Sequence, residues 1–382
     1  MALSFYSERS VMSVAKSRDE VLKALEDWGN SVTNTILNNE EPILEIPSRT
    51  LSNTIWDSKR KMLVLGPEKL RRRFLDLKES KRFMQTILML RLIVQAIREG
   101  VYPTIRDLYY NGKHTMEFKA DIINKVIREN TWDEQSESNA VIEDIEVATG
   151  ILREEMGLSA DVKGKVVGPI IVRSKGFEID ATKLGDTALS LPPNPDDLEI
   201  VKVEANYVLV IEKDAIFQRL NREGFWKRES CLLVTAKGMP DRATRRFIRR
   251  LNEEYGLPVY VLTDGDPYGW YIYSVYKSGS IKLSYESDRL ATPEAKFVGV
   301  TATDIRTYKI SDEYVIKATD RDLKRAQELL RYPWFQSDHW KKEIELFLRT
   351  KKKVEIEALS THGLRFLHDY LLDKIHGNKF ID

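Results

Sequence analysis

The heptapeptide TIRDLYY, residues 104–110, ends in two adjacent tyrosines that helical geometry separates. Thr104 followed by Asp107 is a capping-box pattern, so the segment reads as a helix start. With Thr104 as N-cap, Ile105, Leu108 and Tyr109 fall at i, i+3 and i+4 and make one apolar face. Arg106 and Tyr110 are spaced i, i+4 on a neighbouring face, where guanidinium and phenol meet. Tyr109 therefore reads as a packing residue. Tyr110 reads as a candidate nucleophile, although burial of both rings is the ordinary fate of such a pair. A free phenol titrates near ~10 and attacks poorly at neutral pH. An arginine one turn away favours the phenolate, or holds a phosphate for it to attack.

A second set of residues is acidic. Glu212 lies at the end of the apolar run YVLVIE, Asp264 ends VYVLTD, and Asp266 follows across Gly265 in TDGDPYG. Acids beyond the carboxyl ends of strands stand where open α/β sheets bind ligands. Three hard oxygen donors with room for water suit Mg²⁺, and clustered carboxylates without a cation repel one another. The competing reading of DGDPYG is a plain turn, since Asp and Gly are ordinary loop formers.

Cationic groups follow a pattern too. Arg242, Arg245, Arg246, Arg249 and Arg250 recur at i, i+3, i+4, i+7 and i+8, opposite Ala243, Phe247, Ile248 and Leu251. Such a stripe predicts either a phosphate-binding face, and so a DNA-binding one, or a solvated helix surface. The basic run KLRRRF at 69–74, with Lys78, Lys81 and Arg82, forms a second cluster.

The elements that must carry these groups are legible in outline. The chain has 382 residues, 42% hydrophobic and 31% charged, which describes two or three globular domains. A net charge of +1 leaves no global field, so any nucleic-acid surface is local. One cysteine, Cys231, excludes an intramolecular disulfide and a CxxC metal site. No signal peptide and no apolar run near the ~18 residues of a membrane helix is found, which points to the cytoplasm or nucleoid.

Residues 1–70 read as an N-terminal arm for a partner, with a helix at SRDEVLKALEDWGNSVTNTIL. Residues 71–175 hold a long helical pattern from PEKLRRRF to Gly100, then TIRDLYY, the helix-like TMEFKADIINKVIREN, NAVIEDIEVATGILREEMG, and a small hairpin in LSADVKGKVVGPIIV. Short helices leading into a hairpin predict a winged helix-turn-helix of the CAP type. Residues 176–200, with the Pro-rich TALSLPPNPDDLE, read as a linker and hinge. From 201 to 382, NYVLVIE, CLLVTAKG, PVYVLTD and AKFVGV alternate with amphipathic helices, which predicts an α/β domain with a mostly parallel sheet.

TIRDLYY, VIEKDAIFQRL and VLTDGDPYG, in this order and spacing, resemble the A-subunit family of topoisomerase VI, the type IIB DNA topoisomerases related to the meiotic double-strand-break protein. The resemblance spans about residues 70–380. It implies a winged-helix domain carrying the nucleophilic tyrosine and a Rossmann-like Toprim domain. It implies that Tyr110 forms a 5′-phosphotyrosyl link to double-stranded DNA while Arg106 steadies the scissile phosphate. Glu212, Asp264 and Asp266 match the family's Mg²⁺-holding acids. It also implies a homodimer, each tyrosine working with the partner's acids, and a GHKL-type ATPase B subunit completing an A₂B₂ heterotetramer. No G-x-x-x-x-G-K-[ST] loop is present, so ATP belongs to that second chain. The alternatives are a recombination-type double-strand-break protein using the same tyrosine without strand passage, and a non-catalytic winged-helix DNA-binding protein.

Overall fold

The computed structural model describes residues 16–120 and 125–382, and the first residues of the expected arm lie outside that range. The chain divides into two compact units. One gathers the described residues up to Ser48 with those of Gly66–Ala160, and the other joins Arg49–Leu65 to Asp161–Asp382.

The first unit is built on helices. Arg18–Leu37 starts at a capping box formed by Ser17 and Glu20, and it buries Val21 and Leu25. Those two pack with Met89, Leu90, Ile93 and Ile97 of the Ser80–Glu99 helix and with Val141, Ile142 and Ile145 of the Gln135–Thr149 helix. Leu108, Tyr109 and Trp132 complete this core. An antiparallel pair, Ile43–Pro47 with Lys69–Arg73, belongs to the same unit.

Two expectations fail here. TMEFKADIINKVIREN does not form a helix. Thr115–Ala120 and Lys125–Asn130 pair antiparallel, Thr115 opposite Asn130 and Met116 opposite Glu129. The basic segment 69–74 does not begin the long helix either. It is largely a strand, and its arginines pair with acids: Arg71 with Glu45, Arg73 with Glu41, and Arg72 with the buried Asp144. Cross-strand charge pairing of this kind is a sheet interaction, with no helical period to match.

The second unit surrounds a six-stranded sheet in the order 189–190, 165–167, 232–235, 208–211, 259–262, 296–299. Val208–Ile211 pairs parallel with both Leu232–Thr235 and Val259–Leu262, and the latter pairs parallel with Lys296–Gly299. Lys165–Val167 adds an antiparallel strand beside Leu232–Thr235. Every residue of the three inner parallel strands is buried because the sheet is covered twice. Val208, Val210, Leu232, Val234, Val259 and Val261 pack on one face, while Leu209, Ile211, Leu233, Tyr260 and Leu262 pack on the other. The single cysteine, Cys231, is buried in the second layer.

The expected domain limits shift accordingly. The division falls at Ala160/Asp161, so the predicted boundary at 175 is too late. LSADVKGKVVGPIIV does not supply a hairpin to the first unit: Lys165–Val167 enters the six-stranded sheet, and Ile170–Ser174 pairs with Phe177–Asp180 and Glu199–Val203. The supposed linker 176–200 is therefore tied into two sheets, with Leu189–Ser190 paired to Lys165–Val166. Nor is 1–70 one arm. Its helix belongs to the first unit, whereas Thr54–Asp57 and Met62–Leu65 form a hairpin within the second.

Candidate active site

Tyr110 sits on the eight-residue helix Ile105–Gly112. Thr104 Oγ1 accepts from the Asp107 backbone at 3.1 Å, and the Asp107 carboxylate accepts from the Thr104 N–H at 2.8 Å, which is the expected capping box. The two tyrosines take opposite environments. Tyr109 is buried in the helical core, and its hydroxyl accepts from Lys113 Nζ at 2.8 Å. Tyr110 is 58% exposed. Its ring meets that of Tyr109 edge-on, centroids 5.0 Å apart, and the Arg106 guanidinium carbon lies 5.8 Å from its centroid. A hydrogen bond from Arg106, reinforced by its charge, holds the Tyr110 phenol below its ordinary value. That shift increases the fraction of nucleophilic phenolate near neutrality.

The acids occupy the strand ends of the second unit. Val208–Ile211 lies between strands that follow it on either side, so its carboxyl end is the point where strand order reverses. Glu212 leaves that end, and its backbone N–H donates to Leu262 O at 3.0 Å. Asp264 and Asp266 follow the adjacent Val259–Leu262 strand. The Asp264 N–H donates to Glu212 Oε2 at 3.1 Å, which links the two strand ends directly. Asp266 caps the helix Pro267–Ser278, accepting from Tyr268 N at 2.9 Å and Gly269 N at 2.8 Å. Gly265 is required between the aspartates because a Cβ there would lie 2.7 Å from Val354 Cγ1.

Burial is the largest influence on all three carboxyls, and it raises each one. Glu212 is pushed up to about 7, with the Asp264 charge adding to the effect. Three partly desolvated acids in one region favour a cation. As the side chains stand, no group of three or more His, Cys, Asp or Glu among the described residues is gathered tightly enough to hold a metal ion. Lys213 stands beside these acids, its ammonium 3.0 Å from Asp264 Oδ2, 3.2 Å from Glu355 and 2.7 Å from Glu357. Burial opposes the lysine's charge, but hydrogen bonds to Glu357 and Asp264 outweigh it and raise its pKa. The donor types are the hard carboxylate oxygens that a divalent ion such as Mg²⁺ takes, and a lysine stands at their edge.

Sequence reasoning missed Lys213, Glu355 and Glu357. The alternation in VEIE was the available signal. Val354 and Ile356 are buried, the two glutamates face outward, and Gly265 bridges to Val354 at 2.8 Å and 3.3 Å.

The arginine stripe is not a free face. The helix Arg242–Tyr255 is packed on both sides, with Arg242, Arg245 and Arg250 buried. Arg246 binds Asp196 at 2.7 Å, Arg249 binds Glu253 at 2.5 Å, and Arg250 binds Glu254 at 2.7 Å and the carbonyls of Pro195 and Leu198. Arg242 lies 3.5 Å from Glu286. These side chains clamp the helix to its neighbours, so the predicted phosphate stripe loses its geometric basis.

Comparison with known proteins agrees with the motifs. Residues 81–158 match the family model described as type IIB DNA topoisomerase. Residues 163–204 match the all-beta domain of the DNA topoisomerase VI alpha chain, and 207–375 the Toprim domain of the topoisomerase 6 A-subunit/Spo11 family. The A subunit of type 2 DNA topoisomerase 6 from Hyperthermus butylicus is 54% identical over 377 residues, covering 96% of this chain and 97% of that one. The chain belongs to the topoisomerase VI A-subunit family. Other members are the A subunit of Sulfurisphaera tokodaii, 56% identical across 91% of this chain and 92% of its own, and that of Pyrococcus abyssi, 38% identical across 95% of each. Within this family frame the four parallel strands from Val208 to Gly299, with their strand-end acids, lie in the Toprim domain, while the sheet's strands at 165–167 and 189–190 lie in the all-beta match. The beta segment that precedes it accounts for the strands the sequence reading took for a hairpin and linker. Among the described residues no helix is long and apolar enough to cross a membrane.

Proposed function

We propose that this chain is the DNA-cleaving and rejoining subunit of an ATP-dependent type IIB topoisomerase. The observation that carries the reading is an exposed phenol, shifted toward its phenolate by Arg106, in a chain that also holds three desolvated carboxyls at a sheet's switch point. Tyr110 Oη attacks the phosphorus of a DNA phosphodiester. A tyrosyl O–P bond forms to the 5′ phosphate, the P–O3′ bond breaks, and the phenolic proton passes to solvent. Attack by the 3′ hydroxyl reverses the step. The ester retains the energy of the original linkage, so resealing needs no fuel. Arg106 steadies the phosphate and lowers the cost of forming the phenolate.

Glu212, Asp264 and Asp266 would hold Mg²⁺. Bound there, the ion would supply charge to offset that developing on the transferring phosphate and the departing 3′ oxygen. The Ile105–Gly112 helix and the antiparallel pair Thr115–Ala120 with Lys125–Asn130 serve as recognition helix and wing of a winged-helix module on double-stranded DNA. Two copies form the gate, each tyrosine meeting the partner's acids. A GHKL-type ATPase chain completes the heterotetramer, with N-terminal residues as its dock, and the assembly works on the nucleoid. The matched Toprim model also carries the name of the meiotic break protein, which supports the recombination-type alternative. Near full-length identity of 54% and 56% to proteins named as topoisomerase subunits favours the first reading. The test is reconstitution with an ATPase partner, followed by an assay of decatenation. ATP-dependent decatenation is expected, and cleavage without any strand passage would favour the recombination role.

A further inference from the structure

We propose that Lys213 is a resident counter-ion of the acid site, one that yields Asp264 to an incoming divalent cation and retreats onto Glu355 and Glu357. The proposal rests on the reading of Glu212, Asp264 and Asp266 as a metal site.

The geometry comes from how each carboxylate is tethered. One oxygen of every acid accepts from backbone: Glu212 Oε2 from Asp264 N at 3.1 Å, Asp266 Oδ1 from Tyr268 N and Gly269 N, and Asp264 Oδ1 from Ile356 N at 2.9 Å. Each carboxylate is thereby oriented through one of its two oxygens. For Asp264 the second oxygen, Oδ2, is held by Lys213 at 3.0 Å. A cation that needs Asp264 must therefore displace the ammonium.

Lys213 has somewhere to go. Its Nζ already touches Glu357 at 2.7 Å and Glu355 at 3.2 Å. Both glutamates are about half exposed, with side-chain accessibilities of 47% and 55%, so they keep water on their far side. Rotation about the last bonds of the lysine stem releases Asp264 while keeping the outer pair. The outer glutamates are fixed to the same loop, because Gly265 and Val354 exchange backbone hydrogen bonds at 2.8 and 3.3 Å. Exchange of one cation for another thus needs no movement of the main chain. Without metal, Lys213 partly offsets the like-charge repulsion that would otherwise splay the acids.

Lys213 is a positioning residue in this account, and its signature is in metal affinity measured without DNA. Mn²⁺ alone is titrated into the full chain at constant pH and followed by electron paramagnetic resonance. Lys213→Met should bind Mn²⁺ several-fold to about tenfold more tightly, since the competitor is gone. Glu355→Gln/Glu357→Gln should bind more weakly by a similar factor, because the lysine then holds Asp264 alone. That loss should vanish when the pair is combined with Lys213→Met. Equal or weaker affinity in Lys213→Met, or an undiminished loss in the triple variant, would overturn the exchange. Mn²⁺ binding that survives Asp264→Asn would remove the metal-site reading itself, and the exchange with it.

Discussion

Arg106 and Tyr110 stand one helical turn apart, guanidinium carbon 5.8 Å from ring centroid, with the phenol exposed and its pKa lowered by the arginine. Because the arginine favours the phenolate, its removal should move the alkaline-side rise of DNA cleavage to higher pH. Arg106→Ala should lose roughly a hundredfold or more in cleavage rate at neutral pH, the scale of one charge-stabilising donor. Single-turnover cleavage across pH checks this, and an unmoved profile would remove Arg106 from the site.

Tyr109 should behave as a packing residue. Its ring is buried among Leu108, Trp132 and the long helices, so Tyr109→Ala should cost about 3–5 kcal/mol of stability. Tyr109→Phe forfeits the hydroxyl's bond to Lys113, about 1 kcal/mol, and should still form a DNA adduct. Denaturant unfolding separates the two.

Glu212 gives the metal-free protein a pH signature. Its carboxyl is raised from 4.5 to about 7, so folding favours the protonated form. The associated stability is fully present below about 4.5 and is lost as pH rises through about 7. Without Mg²⁺ the melting temperature should fall across that window more steeply than in Glu212→Gln. Added Mg²⁺ should restore stability at the alkaline end and have its smallest effect at the acid end. Scanning calorimetry at several pH values, with and without the ion, tests both parts.

Arg245 is fully buried, burial lowers its pKa to about 10, and its Nε and Nη2 have no hydrogen-bond partner among the described residues. Met fills similar space without a desolvated charge, so Arg245→Met should leave the melting temperature unchanged or higher. DNA binding should keep its salt slope. A phosphate contact at this position would instead reduce the slope by about one unit.

The sequence disclosed the Toprim sheet because a strand covered on both faces is forced to be apolar throughout, as in YVLVI. Glu212 and Asp264 were legible as the first acids beyond two such runs. The antiparallel pair Thr115–Ala120 with Lys125–Asn130 was not, since Val126 and Ile127 are exposed and, among the described residues, no buried face imposes a period of two there. The strand at Lys69–Arg73 was hidden for a related reason: its partner is Ile43–Pro47, and its charges are satisfied there. Lys213 stood next to Glu212 in the chain, but its other partners lie more than 140 residues on, at Glu355 and Glu357. Pattern within a window cannot register such a contact. The arginine stripe misled because helical spacing reports a common side, and neighbours from 195–198 and 286 cover that side here.

The most direct test is denaturant trapping of the protein on end-labelled duplex with Mg²⁺, followed by proteolysis and mapping of the labelled peptide. A label on Tyr110, joined to the 5′ end of the cut strand and absent from Tyr110→Phe, is the predicted result. A label on another residue, a link to the 3′ end, or an adduct that persists in Tyr110→Phe would contradict it.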